Sequence, residues 1–185
     1  MYPGAIYHVT QRGVGRTALF RDATDRQAFL WYLGRSALRG RWQILAYCLM
    51  ENHVHLLIRD LDADLPRGLA ALFGSHSARF NSRHGRFGAL YQGRYRAFVN
   101  TDERYMANVL RYVLMNPVKA RIVTDPGDWP WSSFAATAGS APAPAWLAVE
   151  ATLEAFQGNR RFFSGFVRNG VEEMPIPWGQ IGKPM

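Results

Sequence analysis

The chain has 185 residues, 48% of them apolar, and a formal net charge of +8. This length fits one main domain with a small extension and supplies enough apolar residues for a core. The single cysteine, Cys48, excludes an internal disulfide and a cysteine-based zinc cluster, and it suits a reducing compartment. The absence of a leader peptide and of a long apolar run predicts a cytoplasmic protein without membrane association. The excess positive charge favours a nucleic acid as partner.

Hydrophobic periodicity predicts alternating strands and helices along the first hundred residues. Period-two alternation is typical of strands, whereas apolar residues three and four apart are typical of helices that bury one face. The predicted strands are residues 5–11, 42–50, 53–58 and 91–100; the predicted helices are one capped by Thr24 or Asp25 that runs to about residue 38, and one over residues 65–84. This βαββαβ order predicts an α+β, ferredoxin-like fold with a four-stranded antiparallel sheet, two helices on one face, and the other face free for chemistry.

Two histidines follow a tight turn at Glu51 and Asn52. Side chains alternate along a strand, so His53 and His55 point to one face while the apolar residues between and after them point to the other. Two imidazoles on one side of a strand form an incomplete metal site, and a third ligand must come from elsewhere. Hydrogen-bonded strand histidines without a metal are the alternative.

A third predicted helix has Asp102 and Glu103 in its first turn and buries an apolar stripe from Met106 to Leu114. Tyr112 and Asn116 lie four residues apart, so they share one face at the border of that stripe. Pro117 disfavours helical geometry at Asn116, which predicts that the helix ends or kinks there. Taken alone, Tyr112 fits a tyrosine packed at the rim of the sheet.

The segment between Asp64 and Asp102 contains no acidic residue. Arginines interleaved with aromatic residues are typical of surfaces that contact phosphates and stack bases of single-stranded or looped nucleic acid. A solvated arginine surface over an ordinary aromatic core is the alternative. The predicted DNA-binding residues are Arg12, Arg67, Arg79, Arg83, Arg86, Arg94 and Arg96.

Several motifs occur in a characteristic order. Residues 50–57 read Met-Glu-Asn-His-Val-His-Leu-Leu, and residues 111–120 read Arg-Tyr-Val-Leu-Met-Asn-Pro-Val-Lys-Ala. Tyr-His-Val-Thr-Gln-Arg-Gly at 7–13, Gly-Arg-Tyr at 93–95 and Trp-Pro-Trp-Ser-Ser-Phe at 129–134 accompany them. Over roughly residues 2 to 135 the chain resembles the single-tyrosine HUH transposases, and among them most closely the REP-associated tyrosine transposases. The ordered set is far more specific than one His-x-His motif.

The resemblance implies a ferredoxin-like nuclease that cuts single-stranded DNA near a hairpin or REP palindrome and rejoins it to another end. Tyr112 would be the nucleophile, leaving a 5′-phosphotyrosine, and His53, His55 and Asn116 would bind a divalent metal, Mg²⁺ or Mn²⁺. Such enzymes work as monomers or as homodimers, and either state fits. In this topology His8 lies on the strand next to that of His53 and His55. For His8 the role of an ordinary hydrogen-bonded histidine is favoured over that of a general base.

The predicted domain organisation has three parts. Residues 1–138 form the nuclease domain, the Pro- and Ala-rich residues 139–145 form a linker, and residues 146–185 form a helical extension with an irregular tail. Helical spacing extends over 146–156, and a second short helix is predicted over 159–169. This extension either covers the core or contacts DNA.

Two other functions are open from the sequence. A hairpin-binding protein derived from such a transposase would keep the fold and lose cleavage. A metal-dependent hydrolase would use water instead of Tyr112 and would form no covalent adduct with DNA. A replication-initiation or relaxase-type nickase shares the chemistry, but the short chain and its motif order fit it poorly.

Overall fold

The computed structural model describes residues 2–100 and 103–169. Strands and helices alternate through the first hundred residues, and the described elements after them are helices. In chain order they are β1 Ile6–Arg12, α1 Ala23–Arg39, β2 Trp42–Leu49, β3 His53–Asp60, α2 Leu65–Arg83, β4 Arg96–Asn100, α3 Glu103–Lys119, α4 Phe134–Ala138, α5 Val149–Leu153 and α6 Arg160–Asn169. No helix within the described ranges is both long and apolar enough to cross a membrane.

The four strands form one antiparallel sheet in the order β2-β3-β1-β4. The predicted α+β, ferredoxin-like arrangement is therefore confirmed. β1 lies in the centre and pairs with β3 on one side and β4 on the other. In this register His53 lies opposite Arg12 and His55 opposite Thr10, while Thr10 also lies opposite Arg96 of β4. Residues that are far apart in sequence thus share one face of the sheet.

One face of the sheet is apolar and is covered by α1 and α2. Val9, Val54 and Leu56 on this face are completely buried. α2 approaches the sheet closely at Gly68, where a Cβ atom would overlap the ring of Trp42. This close packing requires glycine at residue 68 and explains why the helix keeps a residue of poor helix propensity.

The other face is covered by α3, and the predicted apolar stripe is confirmed, because Met106, Val109, Leu110, Val113 and Leu114 are all buried. α3 packs on β2, β3 and β4. The face of the sheet that carries the two histidines is therefore partly covered by a helix, and only its remainder is open.

The fourth strand is shorter than predicted. It begins at Arg96 instead of residue 91, and Tyr91 makes only an isolated bridge with Gly13. Gly93 has a φ of 68°, a left-handed conformation that favours glycine and turns the chain before the strand starts.

Two helix boundaries also differ from the prediction. The side chain of Asp22, and not of Thr24 or Asp25, caps α1 by accepting a hydrogen bond from the Asp25 amide at 3.0 Å. α3 continues past Pro117 to Lys119. The proline ring is buried near the end of the helix, so the burial offsets the hydrogen bond that its nitrogen cannot donate.

The outer edge of β2 is covered by two segments from the second half of the chain. The Leu49 amide donates to the Trp131 carbonyl at 2.9 Å, the Ser133 amide donates to the Tyr47 carbonyl at 3.0 Å, and the Ala148 amide donates to the Ile44 carbonyl at 3.0 Å. Covering an edge in this way prevents pairing with another chain.

The second half of the chain also completes the core. Phe134, Phe156 and Phe163 are almost fully buried and pack on one another. α6 is tied to α3 by a hydrogen bond of 3.0 Å from Arg111 Nε to the Val167 carbonyl. The helix predicted over 146–156 is interrupted: α5 covers only Val149–Leu153, followed by a 3₁₀ turn at Glu154–Phe156. The second predicted helix corresponds to α6, the irregular tail lies outside the described residues, and the division at 139–145 stays a prediction.

Candidate active site

β3 presents His53 and His55 on the face that α3 partly covers. Their ring centroids are 5.0 Å apart and the rings are nearly perpendicular. The intervening Val54 points to the opposite face and is completely buried, which anchors the strand in this register. The two imidazoles therefore converge, as the alternation of the strand requires.

His8 of β1 joins this pair. Its Nε2 lies 3.0 Å from Nδ1 of His55, and the two rings are stacked with centroids 5.2 Å apart. His8 and His55 are almost inaccessible, with 7% and 2% of their surfaces exposed. We call His8, His53 and His55 the histidine cluster. The sequence predicted that His8 lies on the strand next to β3, and in the structure His8 contacts His55 directly.

The histidine cluster is neutral at pH 7. Burial lowers the pKa of His8 to about 4. Burial, reinforced by the charge of Arg12, lowers the pKa of His53 to about 4, although a hydrogen bond with Asn116 acts in the opposite direction. For the fully buried His55, burial and then the neighbouring His8 and His53 hold the pKa well below its usual value. Neutral imidazole is the form that binds metal ions.

Hydrogen bonds define which nitrogen of each ring is left for a ligand. His53 Nδ1 lies 2.7 Å from Asn52 Oδ1, and because an amide oxygen only accepts, this nitrogen carries the proton. Nε2 of His53 then carries the lone pair. For Nε2 of His55 to carry a lone pair as well, its Nδ1 must be protonated and donate to His8 Nε2. Each ring is thus oriented through one nitrogen, as is typical of metal-binding histidines.

α3 places Tyr112 directly against the histidine cluster. The Tyr112 ring lies edge-on to His55 and His8, with centroid distances of 5.5 Å and 6.0 Å. Asn116, one turn further along α3, donates from Nδ2 to the Tyr112 carbonyl at 2.8 Å and hydrogen-bonds to the side chains of Tyr112 and His53. A phenol, a carboxamide and three imidazoles therefore meet at one point.

The surroundings of Tyr112 have opposing effects on the pKa of its phenol. Burial raises the pKa of Tyr112, while the hydrogen bond with Asn116 and the positive charge of Arg12 act to lower it. Lys119 Nζ lies 4.9 Å from the centroid of the Tyr112 ring. The phenol is therefore protonated at neutral pH, and a further positive charge near its oxygen would favour ionisation.

An open polar cleft of about 400 Å³ borders the two histidines of β3. Three of the predicted DNA-binding arginines lie in it: Arg12 at the end of β1, Arg94 before β4 and Arg96 at its start. The remaining lining residues are Thr10, Gln11, Gln92, His53 and His55. Guanidinium groups next to a candidate metal site suit a phosphodiester substrate, because they match phosphate oxygens in charge and geometry.

The other four predicted arginines lie elsewhere. Arg67 and Arg79 line cavities between α1 and α2, which pack on the opposite face of the sheet. Arg83 forms ion pairs of 2.6 Å with Asp22 and Asp25, and Arg86 lies 5.7 Å from the centroid of the Phe80 ring. The structure therefore brings Arg12, Arg94 and Arg96 together with the histidines and separates Arg67, Arg79, Arg83 and Arg86 from them.

The residues present fit a divalent ion only if an amide oxygen is included. Within the described residues, no group of three His, Cys, Asp or Glu side chains is arranged to hold a metal. His53, His55 and the neighbouring Asn116 offer two neutral nitrogens and one amide oxygen, a mixed donor set that suits a first-row or hard divalent cation with open positions.

The comparison with protein families agrees with the predicted resemblance. Residues 2–116 match the family model described as "Transposase IS200 like". The chain belongs to this family. The matched range begins before β1 and ends at Asn116, so it contains the histidine cluster and Tyr112. The family resemblance that the motifs predicted is thus confirmed.

The chain is also similar to individual proteins. A Haemophilus influenzae protein named as a REP-associated tyrosine transposase is 27% identical over 104 residues, which cover 50% of this chain and 59% of the relative. A solved structure of a REP-associated tyrosine transposase bound to a REP hairpin aligns with a TM-score of 0.66 and 18% identity, covering 80% of this chain and 87% of that one. At this identity the structural match supports the fold alone.

Proposed function

We propose that this IS200-like transposase is a metal-dependent single-strand DNA endonuclease and strand transferase that uses Tyr112 as its nucleophile. One observation carries the proposal: α3 holds Tyr112 with its ring 5.5 Å from His55, beside a cleft that contains three arginines. A nucleophile, two candidate metal ligands and a phosphate-binding surface are thereby within reach of one phosphodiester.

The proposed reaction begins with binding of the DNA backbone by Arg12, Arg94 and Arg96 in the cleft. A divalent ion, Mg²⁺ or Mn²⁺, held by His53, His55 and Asn116 would polarise the phosphoryl oxygens and stabilise developing charge. Tyr112 Oη forms a bond to phosphorus and loses its proton, while the bond between phosphorus and the 3′ oxygen breaks. The products are a 5′-phosphotyrosine and a free 3′-hydroxyl, which can reverse the reaction on another DNA end.

The charges around Tyr112 suit this chemistry. The phenol has a raised pKa mainly because it is buried, and Arg12 is a nearby charge that lowers it. A divalent ion held by His53, His55 and Asn116 would add positive charge near the phenol oxygen and so favour its ionisation. The neutral imidazoles of His8 and His55 face the ring and add no positive charge that would compete with the metal.

We propose DNA with a hairpin as the substrate. The Haemophilus influenzae relative is named as a REP-associated tyrosine transposase, and the aligned structure is of such a transposase bound to a REP hairpin. The enzyme would act in the cytoplasm, as a monomer or as a homodimer.

The test is a search for a covalent protein–DNA adduct. Wild-type protein is incubated with labelled hairpin DNA carrying single-stranded flanks, with Mn²⁺, with Mg²⁺ or with chelator, and then denatured. We expect a metal-dependent adduct that Tyr112→Phe abolishes, with a loss of cleavage of at least about 10³-fold. Tyr2→Phe, at an exposed tyrosine away from the cleft, is the matched control and should react like wild type.

Each other outcome favours a different function. Cleavage without an adduct, retained in Tyr112→Phe, would identify a hydrolase that uses water. Tight hairpin binding with no cleavage in either metal would identify a binding protein derived from a transposase.

A further inference from the structure

A lysine near the end of α3 lies close to the proposed nucleophile. Lys119 Nζ is 4.9 Å from the centroid of the Tyr112 ring, so its positive charge rests on the face of the phenol. Lys119 does not line the cleft, where Arg12, Arg94 and Arg96 lie. It therefore supplies a positive charge to Tyr112 that is separate from the arginines of the cleft.

The continuation of α3 past Pro117 places this lysine. Tyr112, Asn116 and Lys119 occupy positions i, i+4 and i+7, which share one face of a helix. Side chains in a helix tilt towards its N-terminus, so the long stem of Lys119 extends back towards Tyr112. A helix that ended at Asn116 would not hold Lys119 on this face. One face of α3 thus presents the nucleophile, a candidate metal ligand and a cation together.

The ammonium group of Lys119 is not paired with an acid. Among the described side chains, no carboxylate lies within ion-pair distance of it. Partial burial, and then the charge of Arg111, lower the pKa of Lys119. The residue is nevertheless exposed to solvent. An anion that bound beside Lys119 would favour its charged form and offset both effects.

A neutral phenol is a weak partner for this charge. The contact of an ammonium group with an aromatic face is weaker than a charge-assisted hydrogen bond to a phosphate oxygen. Lysine has three donors on a flexible stem, so Lys119 can turn from the Tyr112 ring to a phosphate at Oη of the same residue without movement of the helix. A phosphate attacked by Tyr112 would arrive within reach of this ammonium group.

We propose that Lys119 is a further catalytic residue, which binds a non-bridging oxygen of the phosphate that Tyr112 attacks and remains bound to the resulting phosphotyrosine. This proposal rests on the proposed function. In the step, the bond from Tyr112 Oη to phosphorus forms and the bond between phosphorus and the 3′ oxygen breaks. The phenol proton leaves to water and the 3′ oxygen takes up a proton from water. Lys119 keeps its three protons and stabilises the negative charge on the phosphoryl oxygens.

The first experiment measures binding without cleavage. Lys119→Gln and Arg161→Gln are each made in the Tyr112→Phe background, which keeps the ring and removes the nucleophile. Each variant loses one positive charge, and Arg161 lies on α6, outside the cleft. The affinity for labelled hairpin DNA with a single-stranded flank is measured by fluorescence anisotropy between about 50 and 200 mM salt.

We expect Lys119→Gln to reduce the slope of log K against log salt by about 0.7, because one phosphate contact on a single strand is removed. Arg161→Gln should leave the slope unchanged. Uncharged methylphosphonates that replace one flank phosphate at a time then locate the contact. At one position the affinity difference between Lys119→Gln and its parent should disappear, because the charge that Lys119 binds is absent.

The second experiment follows adduct formation with Tyr112 intact. Lys119→Gln should slow adduct formation by about 10²- to 10³-fold, the loss typical for removal of one donor to developing charge, and Lys119→Arg should recover most of the rate. Mn²⁺ affinity from calorimetric titration and the thermal unfolding temperature of Lys119→Gln should match those of wild type. These two readouts would change if Lys119 acted only through the metal site or the fold.

Three results would each overturn the proposal: equal salt slopes in Lys119→Gln and Arg161→Gln, an affinity difference that persists at every methylphosphonate position, or adduct formation by Lys119→Gln at the wild-type rate. The two experiments also separate this proposal from the proposed function. If wild type forms no adduct yet only Lys119→Gln loses the salt slope, Lys119 binds a phosphate and catalysis by Tyr112 fails. If Lys119→Gln forms adduct as wild type does, Tyr112 is the nucleophile and Lys119 has no part in the reaction.

Discussion

Two polar clusters in this protein contain histidine, and their partners differ. The histidine cluster on the sheet has no carboxylate: His8 contacts His55, and His53 contacts Asn52. The second cluster, which we call the Asp25 cluster, joins Asp22 and Asp25 at the start of α1 to Arg83 and His84 at the end of α2.

The side chains of the Asp25 cluster pair with one another. Asp25 is almost fully buried, yet hydrogen bonds from the Arg21 amide, His84 and Arg83 outweigh burial and lower its pKa. A hydrogen bond from Arg83 is the main reason that the pKa of Asp22 falls to about 2. Both carboxylates and the guanidinium have partners within the fold, so this cluster joins α1 to α2. The histidine cluster contains neutral nitrogen donors and no carboxylate, which suits the proposed divalent ion.

The strongest test of this difference between the clusters is to remove one histidine from each of them. His55→Ala removes a proposed metal ligand, so Mn²⁺ affinity should fall more than about 100-fold, beyond the loss typical for a residue that only orients a ligand. His84→Ala should leave Mn²⁺ affinity unchanged and lower thermal stability instead, because Asp25 loses a hydrogen bond. Calorimetric titration with Mn²⁺ and thermal unfolding followed by circular dichroism measure the two effects. Equal loss of affinity in both variants would contradict the distinction.

A smaller effect is expected at His8, the positioning residue behind His55. His8→Phe keeps an aromatic ring but cannot accept from His55 Nδ1, so Mn²⁺ affinity should fall by about 10- to 100-fold. His8→Gln provides an oxygen acceptor and should recover much of that affinity. If His8→Phe binds Mn²⁺ as tightly as wild type does, His55 is oriented without His8.

The Asp25 cluster should affect stability and not metal binding. Asp25→Asn removes the buried negative charge that Arg83 and His84 contact, and we expect the free energy of unfolding to fall by about 1–3 kcal/mol. Urea unfolding measures this change. Thr24→Ala, at an exposed residue of the same helix turn, is the control and should change stability by less than about 0.5 kcal/mol. A shift in Mn²⁺ affinity in Asp25→Asn would show that the two clusters are coupled.

The sequence predicted the sheet and the convergence of its histidines because both depend on period-two alternation. That period fixes the faces of Val54 and His55 whatever the exact ends of the strand. The ends themselves depended on local turn chemistry: the positive φ of Gly93 shortened β4, and the burial of Pro117 let α3 continue.

The positions of the arginines in the fold were less predictable, because the charge of a side chain does not indicate which other residues it contacts. Arg79 and Arg83 are four residues apart on α2, yet Arg79 lines a cavity between α1 and α2 while Arg83 forms ion pairs with Asp22 and Asp25. The acidic partners of Arg83 lie about sixty residues earlier in the chain, so only the fold brings them together. The direct contact between His8 and His55 has the same origin, since it follows from the register of β1 against β3.

The pH dependence of stability separates the buried histidines from the Asp25 cluster along the pH scale. His8, His53 and His76 have folded pKa values lowered by burial to about 4, below the ordinary value of 6.5. Between these values the unfolded chain binds more protons than the folded one, so stability is full above about pH 6.5 and falls as the pH drops towards 4, by up to about 1.4 kcal/mol per pH unit for each histidine.

The Asp25 cluster acts in a lower window, because the stabilising effect of Asp22 is complete above its ordinary pKa of 3.8 and is lost as the pH falls towards 2. Urea unfolding of metal-free protein at pH steps from 7.5 to 2 measures both windows. His76→Gln keeps a hydrogen-bond partner for Tyr91 and cannot titrate, so it should reduce the slope between pH 6.5 and 4 by about one proton and leave the lower window unchanged. Stability that stays constant between pH 6.5 and 4.5 in wild type would mean that the buried histidines do not remain neutral in the folded state.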